Sequence, residues 1–417
     1  FNYNSKINAK INIKCYSQRK NMYFIIHIYV LTKKFNKIIL LKKRKWRFYM
    51  SSIESTLEEI KTRDNLVLEA KKKLDSTFFR KGLTVAIISG MCYGLYSAFV
   101  TVAMGKGVWS EWFGGKTNLS LFATVYIIGA LGSALNDSMS AIWSWIISGY
   151  KGKVGDFLRC INTKPGRIMI LAAIIGGPIA GTSYIIALQL AGSIIIPITA
   201  LCPAIGAVLA RIIFKQKLNK RMILGVVVCV LASVLIGTSG ITGEVRKGTV
   251  LGIVVALIAA FGWGIEGVVA GYGTSLIDSE IGIMIRQTTS GLFNLFILLP
   301  LLSFMDGNIG LGMNLLKSAL TDTSSLIFFV ISGFFALFAF SLWYKGNSMC
   351  GAALGMACNG AYSFWGPFFC WIIIGVLMGI DGWNVAPIVW IGAVIMVIGI
   401  FLIAVNPLTL FGKKEVD

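Results

Sequence analysis

The sequence predicts an all-α integral membrane protein, with ten transmembrane helices in two inverted five-helix repeats. Three observations predict it. Apolar runs of about 20 residues recur along the chain, each roughly 30 Å of helix and enough to cross a bilayer. Charged residues are 14% of the 417 residues and mean hydropathy is +0.76, whereas soluble domains carry about 25% charged residues. An apolar hairpin marked by proline and small residues occurs twice, about 165 residues apart.

The first copy of the hairpin runs from Ala191 to Gly240. Its two apolar arms flank Lys215, Lys217, Lys220 and Arg221, which cannot sit in hydrocarbon and so mark a water interface. Pro197 and Pro203 interrupt the first arm, and Gly225 and Ala232 form a small-residue seam in the second. In the second copy Pro367 takes the place of Pro203, and Gly392 and Gly399 take those of Gly225 and Ala232. A repeated membrane hairpin is the mark of a transporter assembled from two related halves.

Taken in order, residues 1–49 hold 13 Lys and Arg and no Asp or Glu, so much of the formal net charge of +21 is confined there. This stretch begins with Phe and is rich in Lys, Asn, Ile, Phe and Tyr, residues with AT-rich codons. It reads as translated sequence upstream of a start at Met50. A signal peptide is the rival: the run Met22–Leu31 has the right length, but no small-residue cleavage site follows. A nucleic-acid-binding arm is the lesser alternative that charge alone offers, and no nucleic-acid partner is expected. Residues 50–81 form a cytoplasmic amphipathic helix. Ser51 and Glu54 fit a capping box, and Ile53, Ile60, Val67 and Leu74 recur every seven residues. This helix rests on the bilayer surface. Its alternative is a coiled coil pairing two chains into a homodimer, which Asp64 and Lys71 oppose.

Ten spans follow at about 82–104, 119–148, 168–190, 193–214, 221–239, 249–272, 281–305, 324–344, 350–375 and 384–405. The second is too long for a simple crossing, so it either tilts or ends near Leu135 and continues along the surface. With a cytoplasmic N-terminus the inner segments carry 19 Lys and Arg and the outer loops 5. Both termini are therefore expected on the cytoplasmic side of the cell membrane, with 407–417 a cytoplasmic tail. The halves, 82–240 and 241–406, have five spans each. An odd number inserts the second half upside down. The helix opening each half supports the repeat: Tyr93-Gly94 and, two residues on, Tyr96 align without gaps with Trp263-Gly264 and Glu266.

These features resemble the drug/metabolite transporter superfamily, EamA-like branch, over about residues 82–406. The aromatic-glycine pairs, Pro203 and Pro367 in the fourth and ninth spans, and Gly225 and Gly392 in the fifth and tenth carry the resemblance. It implies ten spans in inverted repeats, secondary transport that is often proton-coupled, and a central cavity lined by spans one to four and six to nine. The family often has a Gly-Glu pair after the fourth and ninth spans. Here those stretches read Lys215-Gln216-Lys217 and Gly379-Ile380-Asp381, so no solute is carried over from relatives.

A charge inside a membrane helix costs about 2.5–3.5 kcal/mol on insertion scales, so its presence asks for a reason. Glu266 in the sixth span and Arg286 in the seventh lie at similar depth on consecutive antiparallel helices and are placed to meet as an ion pair. Gln287 adds a hydrogen-bonding group. Substrate or a proton would compete for this pair; a permanent structural pair is the plainer alternative. Asp137, beside Asn136, is a proton-coupling candidate if the second span is continuous and an interfacial helix cap if it ends near Leu135. No partner in another span is evident for it. Trp263, Tyr93, Tyr96 and Trp365 offer rings to a solute, and Asn359 and Tyr362 share a helix face near Pro367 from which they could hydrogen-bond it. Packing and helix–helix hydrogen bonds explain such residues equally well. Tyr184, Gln189 and Asn294 complete the polar set, and Arg211 is close enough to the basic elbow to snorkel.

Enzymatic chemistry finds little support. The lone histidine, His27, is in the leader, and no HExxH, Cys/His cluster or phosphate loop occurs. The eight cysteines form no CxxC pair and read as small packing residues. No catalytic residue, metal or cofactor is expected. The expected function is secondary active transport of a small organic solute across the cell membrane, proton-coupled by alternating access. The alternative is a non-transporting membrane anchor or flippase-like partner protein.

Overall fold

The computed structural model describes residues 81–404 apart from 83, 116, 215–219, 243–247, 275, 351–355 and 357–358. The leader, the amphipathic helix up to residue 80, Lys215–Lys217 of the basic elbow and the tail 407–417 lie outside the described residues. Phe1–Asp75 and Ser76–Asp417 are separate units; the description concerns the second.

Every regular element among the described residues is a helix. This follows from the sequence: backbone polar groups in hydrocarbon must be satisfied within their own segment. Among the described residues, five helices are long and apolar enough to cross a membrane: Thr84–Met104, Lys164–Thr199, Thr249–Thr274, Ser279–Met305 and Thr323–Met349. Tyr362–Leu377 and Pro387–Leu402 are apolar but shorter. In chain order α1 is Thr84–Met104, α2 Gly107–Phe113, α3 residues 121–150, α4 Val154–Cys160 and α5 residues 164–191. Then come α6 Ile195–Thr199, α7 Cys202–Phe214, α8 Lys220–Thr242, α9 Thr249–Thr274 and α10 Ser279–Met305. The chain continues with α11 Leu311–Thr321, α12 Thr323–Cys350, α13 Tyr362–Leu377 and α14 Pro387–Ala404.

The second predicted span does not end at Leu135. A five-residue π-helical turn, Ala123–Ile127, leads into the α-helix Ile128–Tyr150, which passes through Leu135 and Asp137 without a break. The proline-marked first arm of the hairpin breaks at Ala200–Leu201, so Pro203 falls in the first turn of α7, where a missing N–H costs nothing. Gly192, at φ 68°, makes the break between α5 and α6 that a side chain would resist. Within the ninth predicted span, 350–375, α13 carries Pro367 inside it, and residues 351–355 and 357–358 lie outside the described residues.

Small residues set the closest approaches, as they do where lipid gives no hydrophobic push between helices. α8 and α14 form the most extensive pairing. They meet where a Cβ on Gly399 would stand 3.0 Å from the Cys229 nitrogen, and one on Gly392 would strike Ile236. A Cβ on Gly94 of α1 would lie 2.7 Å from the carbonyl of Trp365 in α13. One on Gly264 of α9 would lie 3.2 Å from the carbonyl of Cys202 in α7. Each aromatic-glycine pair thus lays its helix on the proline-bearing helix of the opposite half. α3 packs on α10 and α12, and α9 on α5 and α7.

Large apolar side chains point outward, among them Ile223, Leu231, Val254, Phe261, Phe296 and Phe304. Polar ones point inward, including the serines of α3 at 133, 140, 144 and 148. Polar contacts link the loops at each end of α3 and α10 and the starts of α2 and α12. Lys151 and Lys153, after α3, pair with Glu280 and Asp278, before α10, at 2.6–2.9 Å. Ser120, before α3, donates to Asp306, after α10, at 2.5 Å. Asp322 accepts from the Val108 N–H at 3.2 Å, joining the starts of α2 and α12.

Candidate functional site

Three charges lie within the helices with almost no exposure: Glu266 on α9 (0%), Arg286 on α10 (1%) and Asp137 on α3 (5%). Arg286 is the hub. Its Nε donates to Glu266 Oε1 at 3.0 Å, its Nη1 to Gln287 Oε1 at 2.6 Å and its Nη2 to the Gly176 carbonyl at 3.2 Å. Its Nη1 is 4.0 Å from Asp137 Oδ1, too far for a hydrogen bond. The guanidinium carbon sits 3.8 Å over the Phe340 ring, a desolvated cation–π contact worth about 2 kcal/mol.

The other members hold these groups in place. Tyr344 on α12 donates to Glu266 Oε1 at 2.8 Å. Glu266 Oε2 is buried and accepts nothing. Ser290 hydrogen-bonds Asp137 Oδ2, which also lies 3.4 Å from Asn294 Nδ2. Gln287 Nε2 donates to Ser140 on α3. Gly176 lies in the π-helical stretch Ile175–Gly181 of α5, which contains Pro178. Its carbonyl also accepts from Trp263 Nε1 at 3.0 Å.

Trp263 and Phe340 border a second cluster built on Tyr93. The Tyr93 ring stacks on Tyr362 at 4.2 Å and meets Tyr96, Tyr184, Trp263 and Phe340 edge-on at 5.2–6.0 Å. The Tyr184 hydroxyl is 2.5 Å from Ser97 Oγ, and Tyr362 donates to Thr199 at 3.3 Å. The Tyr93 hydroxyl is buried without a partner.

Of the residues singled out from sequence, Glu266, Arg286, Gln287 and Asp137 come together in the charged network. Tyr93, Tyr96, Trp263 and Tyr362 come together in the aromatic cluster. One expectation needs correction. Asp137 is not an interfacial cap and has partners from α10, because the helix continues past Leu135. Asn359 Oδ1 accepts from Ser89 at 2.6 Å, and the Tyr362 hydroxyl donates to Thr199 at 3.3 Å. Gln189 contacts Met104 at 2.9 Å, and Trp365 stacks on Phe369. The residues that sequence reasoning missed are Ser140, Gly176, Ser290, Phe340 and Tyr344. A signal existed for the serines. Ser133, Asp137, Ser140, Ser144 and Ser148 recur every three or four residues along α3 as one polar ridge.

No family model matches the sequence, and no curated protein matches it. Among solved structures, a chain described as "Crystal structure of protein" is similar at 15% identity and a TM-score of 0.47, over 79% of this chain and 99% of its own. The site therefore stands on its own geometry. Among the described residues no group of three or more His, Cys, Asp or Glu could hold a metal ion.

On the loop side of the network, Lys153 loses some stabilisation of its charge to burial. Hydrogen bonds and attraction from Glu280 and Asp278 outweigh this and hold its ammonium above its ordinary pKa.

Proposed function

We propose that this chain is a secondary active transporter of a small organic solute, proton-coupled, built as ten spans in two inverted five-helix repeats of the EamA-like kind. The observation that carries the reading is the buried network around Arg286. It joins helices of the two halves: Asp137, Ser140 and Gly176 come from residues 82–240, and Glu266, Arg286 and Tyr344 from 241–406. A buried ion pair is a poor way to gain stability, because desolvation offsets most of its attraction. Charges retained at the junction of two halves, inside a bundle whose outer surface is apolar, are better explained by a task than by packing. Intramembrane ionisable groups facing a bundle interior commonly serve substrate or proton pathways.

The repeat is supported by matching contacts. Gly94 and Gly264 make equivalent approaches to α13 and α7, and Ala232 and Gly399 stand in the same α8–α14 seam. Lys153 with Asp278 and Glu280, and Ser120 with Asp306, pair loops that this reading puts on the same side of the membrane. In this reading Tyr93, Tyr96, Trp263 and Tyr362 line the solute path, and the conformation described is closed around it.

The ring cluster also favours a second reading. Tyr93 and the five rings around it fill the seam where a solute would pass, as they would in a non-transporting membrane anchor. Reconstitution separates the two. Proteoliposomes containing the chain and an internal pH-sensitive dye are given a pH gradient and a panel of amino acids, organic acids and amines. Solute-dependent proton movement is expected, reduced at least about tenfold by Glu266→Gln, the equivalent of about 1.4 kcal/mol. Proton leak identical with and without every solute would leave the anchor.

A further inference from the structure

The network holds two carboxyl groups and one guanidinium. Were both carboxyls ionised, it would carry one uncompensated negative charge in a region with 0–5% exposure. Burying an unpaired charge costs several kcal/mol, and a group in that position takes up a proton instead. The question is which carboxyl holds it.

The geometry separates them. Glu266 Oε1 takes a direct, charge-assisted bond from Arg286 Nε at 3.0 Å and a second donor, Tyr344, at 2.8 Å. Both stabilise a carboxylate. Asp137 receives no direct bond from a charged group. The nearest guanidinium nitrogen, Nη1, is 4.0 Å away and spends its short contact on Gln287 at 2.6 Å. The close partner of Asp137 is Ser290, a hydroxyl that can accept as readily as donate. That contact therefore survives whether Asp137 is ionised or carries the hydrogen itself. The charged and titratable groups facing Asp137 from other helices are Arg286 on α10, Glu266 on α9 and Tyr96 on α1. Among these, the like charge on Glu266 opposes ionising Asp137, and Arg286 is already engaged by Glu266.

We infer that Asp137 is the proton carrier of this site, neutral in the closed conformation, while Glu266 and Arg286 stay ion-paired. This rests on the transport reading only for its purpose; the protonation state is a property of the protein at rest. In the transport step the O–H bond of Asp137 breaks and the proton passes to water on the open side, leaving a carboxylate. Rebinding a proton from the other side restores the neutral network. Glu266→Gln would then remove the partner of Arg286. Asp137 would ionise in its place and no longer carry a proton.

The test is infrared spectroscopy of the full chain in detergent at neutral pH, after labelling with carbon-13 in the side-chain carboxyl of either aspartate or glutamate. A carboxylic-acid C=O band is expected that shifts with labelled aspartate, does not shift with labelled glutamate, and is lost in Asp137→Asn. A band that moves with labelled glutamate, one that persists in Asp137→Asn, or no acid band at all would overturn the assignment. The labelling arm needs no substitution, so it remains decisive if the variant does not fold. Flux without an aspartate band removes this inference and leaves transport standing. An aspartate band without solute-dependent flux does the reverse.

Discussion

Gly176 shows how one position serves the site twice. Its carbonyl accepts from both Arg286 and Trp263, and its missing side chain leaves room for the Glu266 carboxylate, which a Cβ there would strike. The carboxylate cannot swing aside without leaving Arg286 and Tyr344. Gly176→Ala is therefore expected to destabilise the protein by about 1–3 kcal/mol, the usual cost of overpacking. A lowered midpoint in a detergent thermal melt, followed by tryptophan fluorescence, would show it; an unchanged midpoint would mean the carboxylate is free to move. At this scale the charges were visible in the sequence, because Glu266 and Arg286 interrupt apolar runs. Gly176, Phe340 and Tyr344 were not, because glycine and aromatic residues are common in membrane helices and nothing local distinguishes those that touch a charge.

At the scale of elements, glycine content by itself says little, and what matters is what stands opposite. Gly94 faces backbone: a Cβ would come within 2.7 Å of the Trp365 carbonyl, which cannot rotate away. Gly149, in the last turns of α3, has nothing within 4 Å. Gly94→Ala should force α1 off α13 and lower the melting midpoint. Gly149→Ala should leave it unchanged or raise it, by up to about 1 kcal/mol from helix propensity. Equal effects at the two sites would refute the close packing of α1 on α13. The sequence pointed to Gly94 through its neighbour Tyr93 and the matching Trp263-Gly264. Whether α3 ended near Leu135 was open from composition alone. Asn136 and Asp137 suit a helix cap as well as a buried polar ridge, and only the residues opposite on α10 and α12 decide between them.

Across the whole molecule, polar contacts tie α3 to α10 from end to end. Ser120 holds Asp306 at one end, Ser133, Asp137 and Ser140 reach Asn294, Ser290 and Gln287 between, and Lys153 meets Asp278 and Glu280 at the other. In the proposed ten-span topology, the two ends of this seam lie on opposite sides of the membrane. Single cysteines replacing Lys153 and Glu280, in a chain cleared of its own cysteines, should react with a membrane-impermeant thiol reagent from one side only, and one replacing Asp306 from the other. Labelling of Lys153→Cys and Asp306→Cys from the same side would break this arrangement.

By itself the sequence determined that the chain is helical and suited to a membrane, and it singled out the few charges within the apolar runs. Those properties follow from how many apolar side chains occur in succession and from the cost of a charge among them, which are local quantities. The tertiary structure alone decided that Asp137 is buried and partnered and that a backbone carbonyl on α5 completes the shell of Arg286. It also decided that the aromatic residues gather around Tyr93 and that Asn359 accepts from Ser89. Each of these depends on which helix faces which, and that is set by the fit of small residues against backbone on segments far apart in the chain.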